Sequence, residues 1–350
     1  MTKTGLEFRI SVIVICLIFE ICDLEFLFLH YSNKRPRLLG VDFVPMDWIE
    51  KKIDGIVNDR RHGAAQLASS AIRILMAVCQ RSESTDLKEL ALTIKQTALS
   101  LTQARPSMAP IRNWSLVFTQ RFLEKTNSGF SIREAKRQGV LLGKELLALQ
   151  QEFVHQQVEA ARTIIRDYKS VVTLSYSSTV ESILRYGLPP GCRVVIAESR
   201  PLMEGRRLFK NLSDDVTELR MITDAQMGLA IPDADLVLVG ADAVLRDLSV
   251  VNKTGTYLAA LVAHAHGRDF LVAADTYKIN VTMDSHNCIL ESKSGREVWS
   301  RQEKHSDNVY FDITPRQLIT GFVSEAGILD AAGMREHVQR WQRLEKDFAL

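Results

Sequence analysis

The sequence predicts an α/β protein: an N-terminal all-helical region followed by a mainly parallel sheet. From Val171 onward, short apolar runs alternate with helical segments: VVTL, RVVIA, ELRMI, DLVLVG and FLVAA. That alternation is the signature of βαβ units. The runs are continuously apolar, as strands buried on both faces of a parallel sheet must be. Between Asp47 and about Arg166, by contrast, apolar residues recur at helical spacing with no such run.

In chain order, Asp47 and Glu50 have capping-box spacing, and Trp48, Ile49, Ile53 and Ile56 follow at helical spacing, so a first helix is expected there. Gly63 to Cys79 (GAAQLASSAIRILMAVC) predicts a second helix rich in small residues. A third follows Leu87, Leu90, Ile94, Ala98 and Leu101 and must stop near Arg105-Pro106, because proline restricts the residue before it. The fourth spans about Arg112 to Lys125. Ser131 and Glu134 form another capping box, and the periodicity then continues to Ile165 without a proline, which predicts a long connecting helix. Residues 280 to 307 are polar and irregular. Asp312-Ile313-Thr314-Pro315 then precedes an apolar stretch, LITGFV, and Glu325-Ala326-Gly327, which reads as one more strand and crest before a closing helix.

The expected division is an apolar N-terminal extension at 1–40, a helical domain at 41–168 and an α/β domain at 169–350. The 350 residues suffice for this. A net charge of +2 without a long basic run supplies no field for direct nucleic-acid binding. Five scattered cysteines (Cys16, Cys22, Cys79, Cys192, Cys288), without a CxxC pair or a His cluster, suggest reduced thiols, no structural metal and a cytoplasmic setting. Ile10 to Phe19 (ISVIVICLIF) is apolar after Lys3 and Arg9, but it is far shorter than the roughly 20 residues a bilayer crossing needs. No membrane partner is expected. A signal or anchor, an accessory element and an appendage foreign to the fold all stay open for this stretch.

The chain is organised around LVLVGADAVLRDLSVVNKTGTYLAALVAHAHGRDFLVAADTYK, residues 236 to 278. It reads as a strand into Gly240 and Asp242, a polar turn through Arg246 to Asn252 and Lys253, a helix opening at Gly255-Thr256, and the next strand. Each strand of the α/β half ends in a polar cluster: Ser175-Tyr176-Ser177-Ser178, Glu198-Ser199-Arg200-Pro201, Thr223-Asp224, Gly240-Ala241-Asp242 and Asp275-Thr276-Tyr277-Lys278. Ligands of parallel sheets gather at that edge, so these crests describe a pocket for a polar, anionic small molecule. With neither GxGxxG nor a P-loop, dinucleotide and nucleoside-triphosphate cofactors lose support, and no cofactor is expected.

Asp242 is a general acid/base candidate, against the plain alternative of a turn or capping aspartate. Lys253 and Arg105 can each grip an anion or be ordinary loop and helix-end residues. His62, ahead of the Gly63-Ala64 helix start, can sit beside an anion held by free N–H groups. His264 and His266 do not share a helix face, which argues against a metal pair. The serines lack a G-x-S-x-G elbow, which argues against a hydrolase.

The motifs GADAVLRDLSVVNKTGTY, AADTYK, ESRP, FDITP with SEAG, ARPS, and GAA after Arg61-His62 resemble, in order, the initiation factor 2B alpha/beta/delta superfamily. That superfamily also contains methylthioribose-1-phosphate isomerase and ribose-1,5-bisphosphate isomerase. The resemblance runs from about Asp47 to the C-terminus. It implies a helical domain followed by a Rossmann-like domain of the NagB/RpiA/CoA-transferase-like kind. It implies aldose–ketose isomerisation of a phosphorylated pentose, with Asp242 as the catalytic aspartate. Ser175 stands at the position of the catalytic cysteine, and a serine hydroxyl is a far poorer acid, base or nucleophile than a thiol. Arg61, His62, Gly63, Ala64, Arg105, Asn252, Lys253 and Lys278 are the implied substrate contacts, with His62 where the isomerases carry an arginine. The regulatory subunits of initiation factor 2B resemble the chain in the other direction: their first crest reads Tyr-Ser after a non-cysteine residue. The expected partners are accordingly a sugar phosphate, further copies of the chain in a homo-oligomer and, on the regulatory alternative, other initiation factor 2B subunits.

Overall fold

A computed structural model describes residues 47–348 of the chain, apart from 61, 127 and 128. The apolar stretch at 10–19, the extension expected over 1–40, and Arg61 with Cys16 and Cys22 lie outside the described residues.

The helical half contains α1 (Asp47–Val57), α2 (Ala64–Arg81), α3 (Leu87–Ala104), α4 (Ala109–Thr126) and α5 (Ile132–Ile165). In α1, Ile49, Ile53 and Ile56 face the core, while the Asp47 carboxylate takes Lys51 four residues on, at 2.7 Å. Pro106 stops α3 as expected, with Arg105 outside helical geometry at φ −144°, ψ 84°. α4 starts earlier than its periodicity suggests, because Pro110 fits a first turn that needs no N–H. Ser131 caps α5 by accepting the Glu134 N–H at 3.3 Å. Glu134 spends its carboxylate on Arg137 and Gln138, so only half of the expected capping box forms. At about 1.5 Å per residue, α5 runs roughly 50 Å and carries the chain onto the sheet.

The α/β half follows with β1 (Ser170–Leu174), α6 (Ser178–Tyr186), β2 (Arg193–Ala197), α7 (Glu204–Leu212), β3 (Glu218–Ile222), α8 (Met227–Ala230), β4 (Leu236–Gly240), β5 (Ala243–Leu245), β6 (Val250–Lys253), α9 (Thr256–Ala265), β7 (Asp269–Ala273), β8 (Ile279–Asn280), β9 (Phe311–Thr314), β10 (Gly321–Ser324), β11 (Gly327–Leu329) and α10 (Ala331–Phe348). Seven strands form the main sheet in the order β11-β10-β7-β4-β1-β2-β3. All neighbours are parallel except the edge pair β10 and β11. β1 and β4 are buried throughout, which explains their uninterrupted Val/Leu runs.

The strand order reverses between β1 and β4. From β1 the chain builds outward to β2 and β3; it then returns and builds the other way through β4, β7 and β10. The carboxyl ends of β1 and β4 therefore diverge around a crevice.

One expectation is corrected. The segment after Gly240 is not a polar turn but the antiparallel hairpin β5/β6, which joins β8 and β9 in a second, four-stranded sheet. Val244, Leu245, Val250 and Val251 are fully buried there. The polar residues Arg246 and Asp247 mark only the hairpin tip, and strands of three or four residues give too little periodicity to read.

Tyr277 ties the two halves together. Its ring stacks on Trp114 of α4 at 4.1 Å, tilts against Phe153 of α5 and meets Trp341 of α10 edge-on at 5.0 Å. Asn113, buried beside Trp114, donates to the carbonyls of Tyr277 and Ile279 at 2.8 and 2.7 Å. Among the described residues no helix is long and apolar enough to cross a membrane.

Candidate functional site

The β1 crest turns sharply. Ser175 takes a left-handed φ of 63°, and its N–H donates to Ser199 Oγ at 2.6 Å. Ser199 is itself left-handed, and the N–H groups of Ser199 and Arg200 both donate to Asp224, at 2.7 and 2.8 Å. Left-handed non-glycine residues cost about 1–3 kcal/mol each and persist where neighbours over-determine them. Here three crests hold one another through these hydrogen bonds. Ser177 then caps α6 through the Val180 N–H. Gly240 lets β4 approach: a Cβ there would stand 2.8 Å from Ser177 Oγ.

Asp242 follows at once. Its N–H donates to the Val251 carbonyl at 2.8 Å, so the hairpin fixes its backbone. The start of α2 lies opposite, and the Ala64 N–H faces the Asp242 carboxylate and favours its ionised form, as a helix N-terminus does. Burial pushes the Asp242 carboxyl up to about 6, while Lys278, Arg105 and Lys253 pull it back toward the ordinary range. Asn252 returns on β6 and donates to Thr256 Oγ1 at 3.0 Å, which leaves its amide oxygen toward Gly240.

A cleft of about 380 Å³, open to solvent, lies between these groups. Gly63, Ala64, Asp242, Asn252 and Lys278 line it together, so five of the residues singled out from sequence meet in one place. Tyr176, Ser177, Ser178 and Thr179 complete the wall on the β1 side, while Ser175 lies one residue before it. Gln66 and Thr179 were not legible as site residues. Only their places in the first turns of α2 and α6 hinted at them.

A larger cleft of about 720 Å³ shares Ala65, Gln66, Ser178 and Thr179 with the first and extends between α2, α4 and α5 past Trp114 and Phe153. Asp275 opens into it. Burial and nearby Glu325 raise the Asp275 carboxyl to about 6 against the pull of Lys278, so one buried lysine acts on a carboxyl in each cleft.

Arg105 and Lys253 are buried at 4% exposure each, and each already has a carboxylate. Arg105 Nε lies 3.1 Å from Glu291, and Lys253 Nζ lies 2.8 Å from Glu204. Lys253 also stands 4.9 Å over the Tyr310 ring. His62 is exposed and held by Asp59, through its N–H and its Nδ1, both at 2.7 Å. It does not line either cleft. His264 and His266 are exposed, on α9 and just after it.

The helical region, the parallel sheet and the switch-point crevice define a Rossmann-like α/β protein with a helical preface. The pattern of the Initiation factor 2 subunit family matches residues 60–331, and the chain belongs to that family. It is 32% identical over 283 residues to a protein of Pyrococcus furiosus named putative translation initiation factor eIF-2B subunit 2-like, covering 80% of this chain and 96% of that one. It is 27% identical over 274 residues to the ribose 1,5-bisphosphate isomerase of Archaeoglobus fulgidus, covering 76% of this chain and 85% of that one. Among solved structures, the translation initiation factor eIF-2B of Pyrococcus horikoshii is similar, with a TM-score of 0.70 and 29% identity over 82% of this chain and 98% of that one.

Proposed function

We propose that the chain binds a phosphorylated pentose, with phosphate at C1, in the Asp242 cleft and acts on it as an aldose–ketose isomerase. The observation that carries this reading is Asp242 itself: a buried carboxyl pushed up to about 6, facing the N-terminus of α2 in a crevice it shares with Lys278 and Asn252. Isomerisation carries hydrogen from C2 to C1 and the O2 proton to the oxygen freed by ring opening, and a carboxyl titrating near 6 both takes and returns a proton in such a transfer. Ser175, or a water it holds, replaces the thiol of the isomerases. The N–H groups at Gly63-Ala64, with Arg105 and Lys253, are the phosphate donors in this reading, and Lys278 balances the charge of Asp242. The cytoplasm is the compartment that suits such a substrate.

A second reading, a non-catalytic regulatory subunit of an initiation factor 2B assembly, is favoured by two observations. Ser175 carries no thiol, and the P. furiosus relative bears a subunit name.

The test is to follow ribose 1,5-bisphosphate by NMR with the full chain and with Asp242→Asn. The expected result is conversion by the parent protein and a loss of about 10²- to 10⁴-fold in the variant, which retains binding by calorimetry. Equal conversion by both removes Asp242 from the chemistry. Binding without conversion by the parent, together with association with other subunits on size-exclusion chromatography, selects the second reading.

A further inference from the structure

Glu291 receives an unusual set of donors for a carboxylate tying down a loop. Arg105 Nε approaches it at 3.1 Å, Ser107 Oγ donates at 2.9 Å and Lys293 Nζ at 2.8 Å. The Arg105 side chain is 3% exposed and Glu291 19%. Burial by itself would raise the Glu291 carboxyl, but Lys293, Arg105 and Ser107 together hold it below its ordinary value, so it is ionised at neutral pH. Two cations and a hydroxyl thus converge on one negative charge, an arrangement that a dianion would balance better than a carboxylate does.

The imbalance extends further. Lys293 stands 5.9 Å from the Tyr310 ring that also receives Lys253, and Lys253 is paired with Glu204, whose Oε2 is buried without a hydrogen-bond partner. Around Tyr310, whose hydroxyl donates to Glu297, four cations (Arg60, Arg105, Lys253, Lys293) therefore meet three carboxylates (Glu297, Glu291, Glu204). Arg105 acts on Asp242 strongly enough to lower its carboxyl, so this cluster adjoins the candidate catalytic group.

The element that carries Glu291 is the one best able to release it. Between β8 and β9 the chain forms two short 3₁₀ turns and a single isolated bridge, Ser292 to Val309, with no strand of either sheet. Arg105, in contrast, is anchored from behind, its Nη1 donating to the Asp59 carbonyl at 3.1 Å.

We infer that Arg105, Ser107 and Lys293 form a seat for a phosphate group, that the Glu291 carboxylate fills this seat as an internal stand-in, and that a phosphorylated ligand binds by displacing it. The identity of the ligand and the role of Arg105 as a phosphate donor rest on the function proposed above; the parts played by Ser107, Lys293 and the displaced Glu291 do not, because inorganic phosphate alone probes them. Glu291 is then a specificity-determining residue: it excludes weak monoanions and yields to a dianion able to engage both cations.

The experiment titrates inorganic phosphate into the full chain by calorimetry, comparing the parent with Glu291→Gln, which keeps the size and removes the charge. The expected result is an affinity about tenfold or more higher in Glu291→Gln, abolished again when Lys293→Met is added. Unchanged or weaker phosphate binding in Glu291→Gln, with a lowered melting temperature, overturns the proposal and leaves Glu291 as a structural tie. Should Glu291→Gln fail to fold, hydrogen exchange of the parent decides: saturating phosphate is expected to speed exchange across residues 285–309, and no change there overturns the idea. If Glu291→Gln gains phosphate affinity while ribose 1,5-bisphosphate is bound no better than inorganic phosphate, the seat stands and the pentose reading falls.

Discussion

The β4 crest and the segment between β8 and β9 both bring charge to the same neighbourhood, and they hold it in opposite ways. At the crest, Asp242 sits between a buried parallel strand and a buried hairpin, and the Ala64 N–H completes its surroundings. Burial there pushes the carboxyl up to about 6. In the segment, Glu291, Asp284 and Glu297 are held by side-chain and N–H donors rather than by a sheet ladder. Glu291 and Asp284 lie below their ordinary values because those donors outweigh burial. The crest fixes a group whose proton is easily moved, while the segment supplies charges whose partners can be exchanged. A site that must capture an anion and then move a proton needs both.

The largest expected effect tests whether the crest alone determines chemistry. Ser175→Cys restores a group titrating near 8.5 at the turn that Ser199 holds in place, and turnover of ribose 1,5-bisphosphate should rise by about 10²- to 10⁴-fold. A folded, ligand-binding Ser175→Cys protein with no gain would mean that the crest geometry no longer serves isomerisation.

Next comes the rigidity of the crest. Gly205, at the start of α7, lies against the end of β2, and a Cβ there would stand 2.0 Å from the Ala197 carbonyl oxygen. Backbone cannot yield as a side chain can, so Gly205→Ala should cost about 3 kcal/mol in chemical denaturation. At Gly228 a Cβ meets nothing within 4 Å, and alanine there should be close to neutral. Similar losses at both positions would mean that the β2 crest is no tighter than the surface.

The smallest effect separates the two regions by pH. Asp242, Asp275 and Asp312 have folded values near 6, above their unfolded ones, so they bind protons more firmly when folded. Their contribution therefore raises stability as pH falls through about 6, and it is complete below the unfolded value near 4. Glu291 has the opposite sign: its contribution is present above its unfolded value and is lost as pH falls through its depressed folded value. The difference in unfolding free energy between pH 7.5 and pH 5 should accordingly become less favourable to the acid side in Asp275→Asn, by about 1 kcal/mol. An unaltered pH difference would remove Asp275 from the set of raised carboxyls.

Much of this was legible in the order of residues. RVVIA and ELRMI coincide with β2 and β3, and VVTL, DLVLVG and FLVAA overlap β1, β4 and β7 to within a residue at either end. The stop at Arg105-Pro106, the long α5 and the place of Asp242 at a strand end were equally readable. Apolar periodicity, proline sterics and strand-end polarity are local properties, and a linear pattern records them.

What the tertiary structure alone decided depends on partners far apart in the chain. Arg105 meets Glu291 across 186 residues, and Asn113 reaches the carbonyl of Ile279 across 166. The hairpin β5/β6 gains its identity only by pairing with β8 and β9, whose own sequences are too short to announce strands. Sequence thus determined which groups are charged and which edge of the sheet carries them. Whether each charge faces a ligand or an internal carboxylate was settled by packing, since an ion pair's energy depends on distance and burial, and neither is written in the spacing of residues along the chain.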